Sequence, residues 1–435
     1  MAKKNFPGFK YVKSSAGIEE FELKSNGLRV LIMEDHSSPT ATLMVTYHVG
    51  SRNEAVGHTG ATHLLEHLMF KGSKKFHKKT TQNIWSLQNV GAEINATTWF
   101  DRTNYFEILP SRHLESALAI EADRMRHAFI KKEDLDSEMT VVRNEFERGE
   151  NYPLEALDKA IWATAFVAHP YHHSTIGWRS DIENVGVERL KKFYDTFYWP
   201  NNATVSCIGD IEKSQALKLI KKHFGQHQAS ASPIPPMYTS EPPQEGERRV
   251  EIRRAGQNPI LAMAFKIPQG RSPEIPAIQL LAAGLCLGRS SRLYKALIDR
   301  GLGSDLNYFS MPLHDPGLFI IYLTLTDEVL HQKAEKIIWR EINKIKQKGI
   351  KEKELSRVKK MLTTSIAYSR DGSYLLASSL NETIAAGDWT IFTRLPEMIK
   401  KVAAEEVKTL ANKYLKEDQS TIGWFVPKQN ENSRA

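Results

Sequence analysis

The chain has almost no cysteine. Cys207 and Cys286 are the only two in 435 residues, which excludes a disulfide-stapled scaffold. Both sit in apolar segments and are expected to act as small core residues. Long apolar runs are missing too: none approaches the roughly 18 residues of a membrane span. The N-terminal segment MAKKNFPGFKYVKSSAG carries charge but no hydrophobic centre of the kind a secretory leader has. It reads as cytoplasmic, and a trimmed periplasmic form would read the same. Charge of one sign is also scarce. The net charge of +8 is the balance of 59 basic and 51 acidic residues, and no basic cluster is interleaved with aromatics. That argues against a nucleic-acid partner. Lys74-Lys75 and Lys78-Lys79 form the densest basic patch and read as a solvated loop.

What is present is an ordinary globular composition, 41% hydrophobic and 25% charged. The length exceeds that of one typical core, so two or more domains are expected.

The strongest local signal is HLLEH, His63 to His67. Residues four apart on a helix share a face, so the imidazoles of His63 and His67 stand side by side and can hold one zinc ion. Glu66 lies at the rim of that face, where a carboxylate can serve as general base toward an attacking water. Ala61 to Lys71 contains no proline or glycine, its leucines follow helical spacing, and Gly72 supplies a stop. Read alone, the histidines could also be surface or satisfied core residues, but they interrupt a mostly apolar helix, where a metal is the economical partner.

A catalytic zinc takes a third protein ligand. In Glu133 to Gly149, Leu135, Met139, Val142 and Phe146 trace one helical stripe. Glu138 and Glu145, two turns apart, share an edge of it. Either could reach a buried metal, whereas Glu133, Glu147 and Glu150 are expected to be solvated. Periodicity alone describes no more than an amphipathic helix.

The order of motifs resembles the pitrilysin/insulinase-type zinc peptidases, the inverzincins, and within them the β subunit of the mitochondrial processing peptidase and its bacterial relatives. HLLEH is followed by MFKG, then by GAEINATT (91–98), DRTNYFEILP (101–110), EMTVVRNE (138–145), HPYHHSTIG (169–177) and YWPNNATVSCIGD (198–210). The resemblance implies one zinc per chain held by His63, His67 and Glu145, with Glu138 orienting or polarising the ligands. It implies an exposed edge strand at Asn95, Ala96 and Thr97 that pairs with a peptide substrate, where the residues alone read as a plain hairpin. One stretch departs from the family pattern. An arginine-tyrosine pair seven residues apart is expected in the second half, but Ile298 and Asp305 occupy those positions, with Arg300 and Tyr308 out of register.

The two halves resemble each other. Leu28–Glu34 and Ala41–His48 are expected strands of the first half, and Arg249–Arg253 and Ile260–Phe265 of the second. A shift of 216 residues superposes Gly72 on Gly288 and carries His63, Glu66 and His67 onto Gln279, Ala282 and Ala283. Gln226 to Glu247, rich in proline, serine and glutamine, reads as a linker. The expected organisation is a zinc-binding lobe (1–225), a linker (226–247) and a metal-free lobe (248–435). The fold class is α+β: two duplicated lobes, each a mostly antiparallel sheet packed by helices. The expected activity is that of a zinc metalloendopeptidase acting on peptides or unfolded segments. Its expected partner is a homologous subunit bearing the arginine-tyrosine pair, with a homodimer as the other assembly. The competing reading is a non-catalytic structural subunit of the same superfamily.

Overall fold

The computed structural model describes residues 6–326 and 329–428; residues 1–5 of the N-terminal segment considered above lie outside it. The chain forms two compact units. One comprises Met1–Glu145, Ser174–Tyr238 and Ser369–Thr393, the other Phe146–His173, Thr239–Tyr368 and Arg394–Ala435.

The first unit is built on a seven-stranded sheet. Its strands are β1 (Phe9–Ser15), β2 (Ile18–Leu23), β3 (Arg29–Glu34), β4 (Thr40–Tyr47), β5 (Glu93–Thr98), β6 (Thr103–Pro110) and β7 (Ala203–Gly209). Their order is β1-β2-β3-β7-β4-β6-β5, antiparallel except for β3 beside β7. The second unit has β8 (Arg248–Ala255), β9 (Ile260–Ile267), β10 (Gly303–Phe309), β11 (Gly317–Leu325) and β12 (Ser420–Lys428), ordered β10-β11-β9-β12-β8. Here only β12 and β8 run parallel. Read from the other end, the second order repeats the first strand for strand, β8-β12-β9-β11-β10 against β3-β7-β4-β6-β5. The duplication seen in the sequence is therefore one of topology. The β1–β2 hairpin is an addition to the first unit.

The first helices along the chain are α1 (Ala61–Leu68), α2 (Ile84–Gln88), α3 (Leu114–His127), α4 (Lys132–Asn151) and α5 (Pro153–Ala165). Fully buried Arg124 fastens α3 to the sheet. It pairs with Glu121, lies 3.7 Å from Glu107 on β6 and covers the Tyr105 ring at 4.3 Å. Such a network is held by its mutual contacts, because any member left unpaired would be a buried charge.

The units differ from contiguous lobes in two exchanged segments. Helix α5 belongs to the second unit and packs on β8, β9 and β12. A Cβ on Gly423 of β12 would meet Ile161 at 2.7 Å and Leu157 at 2.9 Å, so the glycine allows this close packing. In return, helix Ser373–Ala385 belongs to the first unit and covers β4 and β7. That sheet face presents Thr42 and Thr46, which need polar partners once buried. Ser373 and Asn381 supply them at 2.8 and 2.7 Å. Glu150, expected to be solvated, instead pairs with Lys159 and Arg254 at 2.8 and 2.6 Å. Both cysteines are buried and free.

Residues 226–247 contain no helix or strand, and the division between the units falls inside this segment. Its second part is anchored through Glu241. That carboxylate accepts from the backbone N–H groups of Val167, Ala168 and His169 and from Lys266, all near 3 Å. Burial alone would raise its pKa, but these donors outweigh burial and bring it to about 2 from an ordinary 4.5. A depressed carboxyl stabilises the fold above its unfolded value and loses that contribution as pH falls through the folded value. Glu241→Gln is therefore expected to lower stability at neutral pH by about 1–3 kcal/mol. The gap should narrow between pH 4.5 and 2. Urea midpoints of both proteins across that range measure it, and a pH-independent gap would remove the charge from the explanation.

Candidate metal centre

Helix α1 buries Leu64, Leu65 and Leu68 and leaves His63, Glu66 and His67 half-buried on its remaining face. Its first turn is held by carboxylates. Buried Glu54 accepts from Gly60 N at 2.8 Å and Thr62 N at 2.7 Å. Asp181 accepts from Gly57 N, Thr59 N and the Thr59 hydroxyl. These bonds satisfy donors that a helix start leaves orphaned, and the negative charge of Asp181 there suits the helix dipole. Burial pushes the Glu54 carboxyl up to about 8 against the pull of its donors. Gly60 turns the chain at φ 86°, and a Cβ there would meet Ile176 O at 2.4 Å. A Cβ on Gly177, at φ 82°, would come equally close to Gly60 N. The loop before Trp178 thus seats directly on the start of α1. The helix ends in the turn Met69–Lys71 and at Gly72, φ 114°.

Helix α4 supplies the carboxylates. Glu145 Oε2 lies 3.6 Å from His63 Nε2 and 3.6 Å from His67 Nε2. One ligand atom from each of the three residues can be chosen so that all lie within 4.8 Å of one another. Tetrahedral zinc with bonds of about 2.0–2.2 Å spaces its ligand atoms about 3.3–3.6 Å apart, which the two Glu145–imidazole separations match. Among the described residues no other such group of three occurs. Glu138 meets the cluster differently. Its Oε2 lies 3.0 Å from His67 Nδ1 and its other oxygen pairs with Lys71. A donated Nδ1–H would fix the ring and leave Nε2 as the nitrogen able to bind a metal. The geometry thus separates two glutamates that periodicity left equivalent. His63 Nδ1 is buried without a partner among the described residues, so no second contact of the Glu138 kind holds that ring.

The electrostatics follow the same division. Burial and the neighbouring His67 push His63 down to about 4. Burial opposes charge on His67 as well, but Glu145 and Glu138 outweigh it and hold the imidazole at about 9. The carboxylates therefore favour a cationic charge at the centre. Glu66 is raised by burial, opposed by a hydrogen bond from the Thr98 hydroxyl to Oε2 at 2.5 Å. A carboxyl raised in this way is poised to take up and release a proton.

Among the described residues, strand β5 forms the edge of the first sheet and pairs only with β6. The bond from Trp99 N to Arg102 O closes the hairpin. Antiparallel alternation counted from it points the N–H and C=O groups of Asn95 and Thr97 toward β6 and those of Ala96 and Thr98 outward. Asn95 and Thr97 carry their side chains on the exposed face, while Ala96 is buried. In the second unit, Tyr308 of β10 packs on the core beside Phe319, and Asp305 is exposed. Glu54, Asp181, Lys71 and Thr98 carried no identifying signal in the sequence. Each acts through a fold-back of the chain or a contact with a distant segment.

Residues 29–178 match the family described as Insulinase (Peptidase family M16), and residues 184–362 match the Peptidase M16 inactive domain. The chain is 30% identical over 407 residues to the zinc protease PqqE of Helicobacter pylori, covering 92% of this chain and 91% of that protein. It is 23% identical over 418 residues to a probable mitochondrial-processing peptidase subunit beta of Arabidopsis thaliana, covering 93% and 78%. A solved structure of a protease from Helicobacter pylori superposes with a TM-score of 0.89 at 29% identity, over 94% of this chain and 99% of that one.

Removing the clamp at the start of α1 should be felt as lost stability. Glu54→Ala leaves the N–H groups of Gly60 and Thr62 without their acceptor, an expected loss of about 1–3 kcal/mol for each. Denaturant unfolding followed by tryptophan fluorescence reads it, and an unchanged midpoint would remove Glu54 from the clamp.

Proposed function

The chain belongs to peptidase family M16, and from that premise we propose that it is a zinc metalloendopeptidase with His63, His67 and Glu145 as metal ligands and Glu66 as general base. The observation that carries the reading is the convergence of Glu145 on both imidazoles, 3.6 Å from each. When bound, zinc supplies Lewis acidity to water and to the peptide carbonyl. Glu66 accepts the proton of the attacking water and delivers it to the leaving amine. The Thr98 hydroxyl holds one oxygen of Glu66 and leaves the other for that proton. Glu138 orients His67, and Lys71 balances its charge.

Substrate is held by β-augmentation at Asn95, Ala96 and Thr97. An extended peptide bonds the outward backbone of Ala96, replacing the contact between Ala96 N and the Asn95 side chain at 2.8 Å. Backbone pairing of this kind tolerates many sequences. A structural subunit without catalysis is the second reading, favoured by the inactive-domain match over residues 184–362. It gives no physical need for four converging residues of this chemistry.

The missing arginine-tyrosine register supports a two-chain enzyme. Tyr308 packs on the core of its own unit and Asp305 stands where a clamp residue is expected. A homologous chain bearing the pair would complete the site, as the name "subunit beta" of one relative suggests. Self-association is the other route to completion.

Purified protein is expected to carry about one zinc per chain. Glu138→Gln should weaken zinc affinity about 10–100-fold. Glu66→Gln should keep the metal and lose about 10²–10⁴-fold in peptide hydrolysis. Elemental analysis with a peptide assay reads both, and wild-type turnover by Glu66→Gln would refute the base. The partner enters a separate measurement. Hydrolysis by this chain alone should be low and should rise on adding the homologous chain, across an interface of more than about 2,000 Å². Full activity alone, without gain from a partner, would exclude the two-chain form.

A further inference from the structure

The edge strand is also gripped from its other face. Arg102, in the turn between β5 and β6, is only 8% exposed. Its Nη1 donates to Thr97 O at 3.1 Å, to the Thr97 hydroxyl at 2.5 Å and to Asn104 Oδ1 at 2.9 Å. Its Nε and Nη2 both donate to Glu382 Oε1, at 3.1 and 2.5 Å. Glu382 stands on helix Ser373–Ala385, 280 residues further along the chain. The preceding residue, Asn381, bonds Asn104 and Thr46 of the same sheet. Thr97 faces this network, while its neighbour Thr98 faces Glu66.

We propose that the Arg102–Glu382 pair is a positioning device: it fixes the register of β5, and through β5 the outward backbone of Ala96 and the hydroxyl of Thr98. The inference rests on the peptidase reading and adds to it a pair of residues that touches neither metal nor peptide. A guanidinium is suited to the task. Its planar fork grips Thr97 and Glu382 at once, which a lysine cannot do. The strand needs such a grip because its outer side has no neighbour. Besides the β6 ladder and the packing of its inner face on α1 and α2, this pair holds its position from the other face, and a small shift would misplace the bonds an extended peptide makes. Misplacement on that scale loses much of the benefit of orientation.

Arg102→Lys keeps the charge and removes the fork. Glu382→Gln keeps an acceptor and removes the charge, and guards against failure of the first variant to fold. Two readouts are needed. In the cleavage-deficient Glu66→Gln background, either variant should weaken binding of a long unstructured peptide about tenfold. Binding of a dipeptide, too short to run along β5, should be unchanged, and zinc content should stay the same. Amide hydrogen exchange of the ligand-free chain should accelerate at Asn95 and Thr97 and stay constant in α1. Equal losses on both peptides, or unchanged exchange at Asn95 and Thr97, would overturn the positioning role. Absence of peptide binding and zinc from the parent protein would instead refute the peptidase reading, and the exchange measurement would still decide the inference.

Discussion

One spacing governs the centre: two imidazoles four residues apart on a helix share a face. Everything around them serves to hold that face in place. The leucines of α1 bury the opposite side, so the helix cannot rotate without exposing them. Glu54 and Asp181 fix its first turn through backbone donors, and Gly60 and Gly177 allow the following loop to close over it. Only with α1 fixed can a carboxylate from α4 lie 3.6 Å from both rings. The second unit shows what the same scaffold does without the ligands. At the corresponding helix, Ile275–Cys286, Ala282 and Ala283 are fully buried among apolar neighbours, and the helix is a plain core element.

The sequence revealed what is periodic or local. HLLEH set α1, the Leu135–Phe146 stripe set α4, and apolar runs marked β3, β4 and β9. The repeated order of runs exposed the duplication before any strand order was known. Long-range partners left no such trace. Glu138 and Glu145 occupy equivalent positions in a helical pattern, and only the placement of α1 separates a contact to Nδ1 from a contact to Nε2. The exchange of α5 and helix Ser373–Ala385 between units was equally hidden. Both are ordinary amphipathic helices whose destination depends on the sheet face that needs them. Glu241 is one glutamate in a proline-rich stretch until three backbone N–H groups close on it.

The exchange has a consequence for the site. Residues of the C-terminal half help to build the unit that contains the candidate metal centre, through Ser373, Asn381 and Glu382. The second half is therefore more than a copy without ligands. It contributes the cover for β4 and β7 and the carboxylate that grips Arg102. Residues 1–225 alone lack part of the unit they were expected to form, because Ser369–Thr393 belongs to it.

Anomalous diffraction at the zinc absorption edge, from crystals of the purified full-length protein, tests the central claim most directly. The account predicts a single strong peak bonded to His63 Nε2, His67 Nε2 and one oxygen of Glu145, with Glu138 on the far side of the His67 ring. A peak ligated by Glu138 in place of Glu145, or zinc bound elsewhere on the chain, would contradict it.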